Sequence, residues 1–391
     1  PDGHDADGWA EVTAAVVQRA RAAEPSLQAL PAEAIYRIIL NGGVGLLDRF
    51  SRYATAAIAT QQRAAREGFD GIGILIQTLE GITRVIEVLE GTPAQGGGLA
   101  VGDHITHVDD IPLAGLDAAA VIELMRGPPG SRVALDLLRG NIPPRAQQVS
   151  VYRAYIVPVS VHTNLWDGLA LIQITSFNRN TARYLEQQFS GLSRKNVRGL
   201  ILDLRGNPGG LLDQAVLTAD LFLSGGVIIS TFGRHAAASS IFTADTHQIA
   251  AGLPMVVLIN GDSASSAELL AAALQDRGRA VIIGTTTHGK GSVQNLARLP
   301  NGGELIITWS RLHAPSGYIL DGLGVLPNIC TAEAMAPNNL AQVFASMDAY
   351  ASRMPRWHRY DHIDPPLAAA LRTACPAGVG DHTHDLELAQ R

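Results

Sequence analysis

Apolar residues recur every three or four positions in WAEVTAAVVQRARAA and again in PAEAIYRIILNGGVGLL, so residues 8 to 65 are read as amphipathic helices, with Gly42 and Gly43 breaking the second. LLDRFSRYATAAIATQQRAAREG leads out of that texture. From about 69 to 140 short strand-like runs (GIGILIQ, RVIEVL, HITHVDD, RVALDLL) alternate with Gly- and Pro-rich turns and one helix, DAAAVIELMRG. That rhythm predicts a small, mostly β module. From about 155 to 330 strand and helix patterns alternate: LALIQI, TARYLEQQFSGL, VRGLILDLR, LLDQAVLTADLFL, GVIIST, MVVLIN, SSAELLAAALQD, AVIIG. This order predicts an α/β domain with parallel pairing. The last sixty residues predict helix and loop with no core signal of their own, and there is no internal repeat. The expected divisions are a helical segment at 1–66, the β module at 67–153, the α/β core at 154–330 and an extension at 331–391.

Composition narrows the class. With 391 residues, 47% hydrophobic and 17% charged, the chain is globular and long enough for several cores. A net charge of −6 without a basic cluster excludes a nucleic-acid partner. The longest apolar runs, such as PMVVLI at 254–259, are strand-sized, so no span is predicted. A start at Pro1 carries the expectation that a signal or anchor has been removed. Cys330 and Cys375, the two cysteines, are expected as one disulfide suited to an oxidising compartment; two buried thiols are the alternative. No His-Glu-x-x-His or cysteine pair suggests a metal, and the histidines in GDHTHD near the C-terminus are read as a solvated loop.

Of 30 basic residues only two are lysines, and Lys290 lies in HGKGSVQ, twenty-five positions after Ser265 of NGDSASSAEL. Arginine does not give up its proton in a protein, whereas a desolvated lysine titrates near neutrality and acts as a base. Ser265 follows the strand MVVLIN at the start of the helix SSAELLAAALQD, at the positive end of the helix dipole, which suits a nucleophile. Ser263 precedes the helix and is the expected cap, with Ser266 as its neighbour. Gln294, four residues after Lys290, carries an amide able to orient the amine. A Ser–His pair, using His288 with Asp262 as orienter, is the rival mechanism. A Gly-x-Ser-x-Gly elbow is absent.

In the β module the run Gly71, Ile72, Gly73, Ile74 offers backbone N–H groups in a tight turn before a strand. A peptide's terminal carboxylate binds to such a turn while its last residues add as an extra strand, with the helix 117–125 as the other wall. No third glycine and helix follow, so this is no dinucleotide fingerprint. Together with GTPAQGGGLAVGDHITHVDD and RGPPGSRV, in which Gly98, Leu99, Ala100, Val101, Gly102 and Asp103 form a Gly-Leu-x-x-Gly-Asp turn, the module resembles the PDZ domains of bacterial proteases. Arg126, ending that helix, is read either as a solvated cap or as a contact that reaches the α/β core when a tail fills the groove.

LLDRFSRY, the PDZ segment, LILDLRGNPGGLL, NGDSASSAELLAAALQDRGRAVIIGTTTHGKGSVQ and PSGYILDGLGVLPNI together resemble the C-terminal processing peptidases, or tail-specific proteases, over about 40–330. The resemblance implies Ser265 as nucleophile, Lys290 as general base and Gln294 as its support. It implies an oxyanion hole from the backbone of Ser266 and of Gly209 or Gly210. It further implies a crotonase-like α/β core with an inserted PDZ domain, an N-terminal helical segment used in dimerisation, no cofactor, and a periplasmic or cell-envelope address. The chain departs from the family at His288, where an aromatic is usual, and at Ser266, where alanine is common. The function expected is a serine endopeptidase that takes unstructured, apolar C-terminal tails of protein substrates through its PDZ domain, with an adaptor or regulator as a further partner. The alternative is a PDZ scaffold whose peptidase site has decayed.

Overall fold

The computed structural model describes residues 5–140, 144–193, 197–246, 248–332, 340–378 and 383–390. They form two units, Pro1–Gln61 with Gln294–Trp309, and Gln62–Val293 with Ser310–Arg391. No helix among the described residues is long and apolar enough to cross a membrane.

In the first unit the helical spacing yields helices Ala6–Ala23, Pro25–Gln28 and Ala32–Val44, the first capped by Asp5, whose carboxylate accepts from Gly8 N–H at 2.8 Å. LLDRFSRY is a turn built on one side chain. Asp48 accepts from Phe50 N–H, Ser51 N–H, the Ser51 hydroxyl and the Thr308 hydroxyl. Burial pushes the Asp48 carboxyl up, but these four donors outweigh it and hold it below the usual carboxylate range. The strand Arg52–Ala54 that follows pairs antiparallel with residues 304–306.

The second unit contains the β module and the α/β core. The module's sheet runs Ile74–Leu79, Ile82–Val88, His104–Val108, Arg132–Arg139, Arg145–Tyr152, each antiparallel to its neighbour, leaving Ile74–Leu79 at an edge. Alternation along RVALDLL turns Val133, Leu135 and Leu137 inward, where they meet Val85, Ile105 and Val149. Helix Ala118–Met125 is capped by Asp117 and buries Val121 and Met125, one helical turn apart. The buried Arg153 guanidinium donates to the carbonyls of Leu124 and Met125, closing that helix's C-terminal end. Asp103 explains the Gly-Leu-x-x-Gly-Asp pattern. Its carboxylate accepts from Ala100 N–H and from two nitrogens of Arg139, each at 2.6 Å, while Arg139 also donates to the Gly98 carbonyl.

The core sheet has Val161–Trp166 antiparallel to Leu169–Ile174, and then Gly199–Asp203, Met255–Ile259, Val281–Gly284 and Ile329–Cys330 added in parallel. Leu200 and Leu202 face the main core, which also holds residues of helices Thr181–Ser193, Leu212–Asp220 and Ser266–Asp276; Ile201 faces the opposite side. Two expectations change here. GVIIST leaves the parallel sheet: strand Gly226–Phe232 pairs antiparallel with Ser240–Ala244 and with residues 311–313. Gly225 and Gly226, at φ +126° and +86°, redirect the chain before it, a conformation closed to most side chains. The C-terminal residues also have no core of their own because they complete this one. Met354, Trp357, Tyr360 and Leu371 join the main cluster, and helix Thr383–Gln390 lays Leu388 on the other face of the sheet. GDHTHD is therefore not a solvated loop throughout; residues 380–382 lie outside the described residues, while Asp385 is buried inside that helix. Cys330 and Cys375 form a disulfide.

Candidate active site

Three neighbouring parallel strands, Gly199–Asp203, Met255–Ile259 and Val281–Gly284, release the glycine-rich loop, the serine loop and the lysine loop from their C-terminal ends, where open α/β sheets place ligands.

Ser265 occupies the position just before helix Ser266–Asp276 with φ +55° and ψ −113°. For a non-glycine residue that is strained backbone, and such strain persists only where the surroundings impose it. Ser263 is not the cap. Its hydroxyl donates to the Leu204 carbonyl at 2.8 Å and accepts from Asn260 N–H at 3.0 Å, which ties the serine loop to the residue that follows strand Gly199–Asp203. Ser265 and Lys290 are half-buried, whereas His288 and Asp262, the rival pair, are exposed.

The group that imposes the geometry is Glu268, fully buried in the first turn of the helix. One carboxylate oxygen accepts from Ser265 N–H at 2.7 Å and Lys290 N–H at 2.8 Å. The other accepts from Gly289 N–H at 2.6 Å and the Thr287 hydroxyl at 2.5 Å. Burial is the strongest influence on this carboxyl and pushes it up; the four donors pull against it. Its three amide partners can only donate. Thus one side chain joins the backbones of residues 265 and 290, and His288 N–H to the Ser263 carbonyl, at 3.0 Å, adds a second link between the loops.

The glycine-rich loop is held by amides. Buried Asn207 donates to the Ile174 carbonyl, accepts from Gly209 N–H at 2.8 Å, and its own carbonyl accepts from Ala264 N–H. Gly209 lies so near the serine that a Cβ on it would stand 2.8 Å from Ser265 Cβ. The Ser266 hydroxyl donates to the Gly210 carbonyl at 3.0 Å, a bond alanine would not make. Before the loop, Arg205 forms a two-pronged pair with Asp203 and reaches Asp385 at 3.2 Å.

The other sequence-derived residues are distributed as follows. Gln294 lies half-buried on strand Ser292–Arg298, in the first unit. Gly71 ends strand Phe69–Gly71, and Ile72 and Gly73 lead into the edge strand that Ile74 begins. The Ile72 and Gly73 carbonyls accept from Ala94 and Leu89 N–H, while their own N–H groups make no hydrogen bond among the described residues. Gly73, at φ +92°, packs on Thr92 so closely that a Cβ would clash at 2.3 Å. A cavity of about 550 Å³ lies beyond Thr92 against Ile156 and His162. Arg126 ends its helix and pairs with Glu123 at 2.7 Å on the surface.

Sequence reasoning passed over Glu268, Asn207, Asn260 and Asp385. Only Glu268 has a local signal, the capping-box spacing Ser265-x-x-Glu268.

Residues 168–331 match peptidase family S41 and residues 84–139 match a PDZ domain, which together define a PDZ-bearing peptidase. The carboxy-terminal-processing protease of Bartonella bacilliformis is 34% identical over 295 residues, 74% of this chain and 68% of that protein. Carboxy-terminal processing protease CtpA of Bacillus subtilis is 32% identical over 265 residues, 67% of this chain and 56% of that protein. Among solved structures, the photosystem II D1 C-terminal processing protease aligns over 78% of this chain and 83% of its own, with 28% identity and a TM-score of 0.46. The chain belongs to the carboxy-terminal-processing protease family of serine-type peptidases.

Proposed function

We propose that the chain is an endopeptidase that takes unstructured C-terminal tails of proteins and cleaves them through an acyl-enzyme on Ser265, with Lys290 as general base. The observation that carries this is the Glu268 carboxylate bridging Ser265 N–H and Lys290 N–H, since a nucleophile and its base work only when held in one geometry. Lys290, neutral in the working enzyme, takes the serine proton, returns it to the leaving amine, and then activates the water that releases the acyl group. Gln294 orients the lysine. Of the two glycine candidates, Gly210 is the better oxyanion donor, because Gly209 N–H is engaged by Asn207. Gly210 N–H and Ser266 N–H make no other hydrogen bond among the described residues, and the Ser266 hydroxyl keeps the two peptides adjacent.

The tail enters as an added strand. The edge position of Ile74–Leu79 and the unspent amides of Ile72 and Gly73 support this reading, with apolar terminal residues directed toward helix Ala118–Met125. Arg126 links tail binding to turnover by leaving Glu123; an exposed pair of this kind holds it by only about 0–1 kcal/mol. The core is of crotonase-like type, with divisions near 66, 153 and 330. The N-terminal helical segment, with Ile38 60% exposed on helix Ala32–Val44 and Leu46 88% exposed in the turn after it, serves a dimer interface. An oxidising, periplasmic or cell-envelope setting suits the disulfide.

Hydrolysis of an unfolded protein by wild type, Ser265→Ala and Lys290→Ala tests the assignment. Cleavage by wild type alone is expected. If wild type cuts nothing yet retains apolar C-terminal peptides, the chain is a binding scaffold or adaptor instead.

A further inference from the structure

The serine and lysine loops are gripped on one side by Glu268. On another they are held by a segment far away in sequence, which lies beyond the residues matched to the peptidase family. The Gly378 carbonyl accepts from Gly261 N–H at 2.9 Å and from the Thr285 hydroxyl at 3.1 Å, and Gly378 N–H donates back to that hydroxyl at 3.1 Å. The Cys375 carbonyl accepts from the Thr286 hydroxyl at 2.5 Å. Gly261 is in the serine loop, four residues before Ser265; Thr285 and Thr286 begin the lysine loop. A Cβ on Gly261 would stand 3.2 Å from the Gly378 oxygen and 3.4 Å from Ala377 Cβ, so the two backbones are in close contact.

This segment is anchored covalently. Cys375 is bonded to Cys330, whose strand Ile329–Cys330 pairs in parallel with Val281–Gly284, the strand that feeds the lysine loop. Thr331 N–H donates to the Gly284 carbonyl at 2.8 Å on the same edge. Both threonines and both cysteines are buried, Thr286 and Cys375 completely.

We infer that residues 375–378 are a positioning segment of the peptidase site, which sets the spacing of the serine and lysine loops and is held in register by the Cys330–Cys375 disulfide. The inference rests on the proposed Ser265 and Lys290 roles. A segment joined to the fold only by hydrogen bonds opens locally, and a crosslink lowers the number of open states. When it opens, two buried hydroxyls lose their acceptors and the two loops lose their shared brace. Chemistry that depends on sub-ångström placement then slows although the core remains folded.

The test uses the full chain and four variants: Thr286→Val, which keeps the shape and deletes the hydroxyl; Thr286→Ser, which keeps the hydroxyl; the double variant Cys330→Ala/Cys375→Ala; and that pair combined with Thr286→Val. For each, kcat and KM on a peptide substrate are measured at a temperature where circular dichroism shows it folded, with Ser265→Ala in parallel. Thr286→Val is expected to lower kcat about tenfold with KM nearly unchanged, and Thr286→Ser to restore it. The cysteine pair is expected to lower kcat by a similar factor, and the combination to cost little more, because both changes release one brace. Wild-type kcat in Thr286→Val, failure of Thr286→Ser to rescue, or full multiplication of the two losses overturns the inference alone. Cleavage retained by Ser265→Ala overturns the dyad and this inference with it.

Discussion

The PDZ module and the strand ends of the peptidase core are built on opposite solutions to burial. In the module the interior is an apolar cluster of Ile72, Val85, Ile105, Leu135 and their neighbours, with few polar groups inside it, chief among them Asp103, Thr83 and Arg153. At the strand ends the buried side chains are mostly polar: Asp203, Asn207, Asn260, Ser263, Glu268, Thr285, Thr286 and Thr287. An apolar cluster gains from area removed from water and tolerates small shifts of position. A buried polar network has no such tolerance, because each unpaired donor or acceptor carries its full desolvation cost. The module is therefore held by burial, and the site is held by direction. Substitutions of the same size should do different harm in the two places.

The largest effect expected is at Lys290. Lys290→Arg keeps a long basic side chain, yet it should lower cleavage by about a thousandfold or more, as completely as Lys290→Ala, because a guanidinium stays protonated and does not accept the serine proton. Substantial cleavage by the arginine variant, measured on an unfolded protein, would promote His288 to the base. Wild-type activity should rise with pH through the titration of the lysine, the direction required of a base that acts when neutral.

Glu268→Gln comes next. An amide nitrogen would face one of the donor pairs now facing an oxygen, so kcat should fall about a hundredfold, by analogy with the loss of a single preorganised donor. Its unfolding free energy should drop by about 1–3 kcal/mol. If denaturant melts detect the second change and kinetics miss the first, the carboxylate is structural and the contrast between the two regions is lost.

The module should answer in the reverse way. Leu135→Ala, in its centre, should cost about 2–5 kcal/mol of stability by loss of buried surface and formation of a cavity. Turnover of a short peptide too small to fill the PDZ groove should be nearly unchanged where the variant is still folded. A large loss of that turnover would show that the two regions act as one.

Asp103 sharpens the comparison from the polar side. Burial pushes its carboxyl up, but the two-nitrogen contact with Arg139 and the bond from Ala100 N–H outweigh this and hold it below the usual range. With the folded pKa depressed, its stabilising effect is complete above the unfolded value of about 4 and is lost as pH falls through the folded one. Thermal melts below about pH 4 should therefore decline less steeply in Asp103→Asn, which starts from a lower stability at neutral pH. Arg126→Ala is expected to have the smallest effect, a several-fold loss of turnover on a protein substrate with tail binding to the module unchanged.

Much of this was legible in the chain. The alternation in RVALDLL and the strand–helix succession from LALIQI onward report backbone geometry, which is local, so they located the elements and their buried faces. Motifs pointed to Ser265 and Lys290, whose backbones Glu268 joins, and Ser265-x-x-Glu268 carries a spacing that a search for helix caps would have found. The fate of GVIIST was missed because periodicity marks a strand without naming its partner. Ser263 was misplaced as a cap because its hydroxyl is claimed by Leu204, the residue that follows strand Gly199–Asp203.

By itself, then, the sequence determined which segments are helix or strand, which faces are apolar, and which residues are chemically able to serve as nucleophile and base. The tertiary structure alone decided how they are held: Arg205 against Asp385 across 180 residues, Thr285 against Gly378 across 93, and the buried Glu268 carboxylate between two loops. Periodicity follows from the dihedral angles of neighbouring residues, whereas a hydrogen bond between distant segments depends on where the whole chain has placed them, and no local spacing records that.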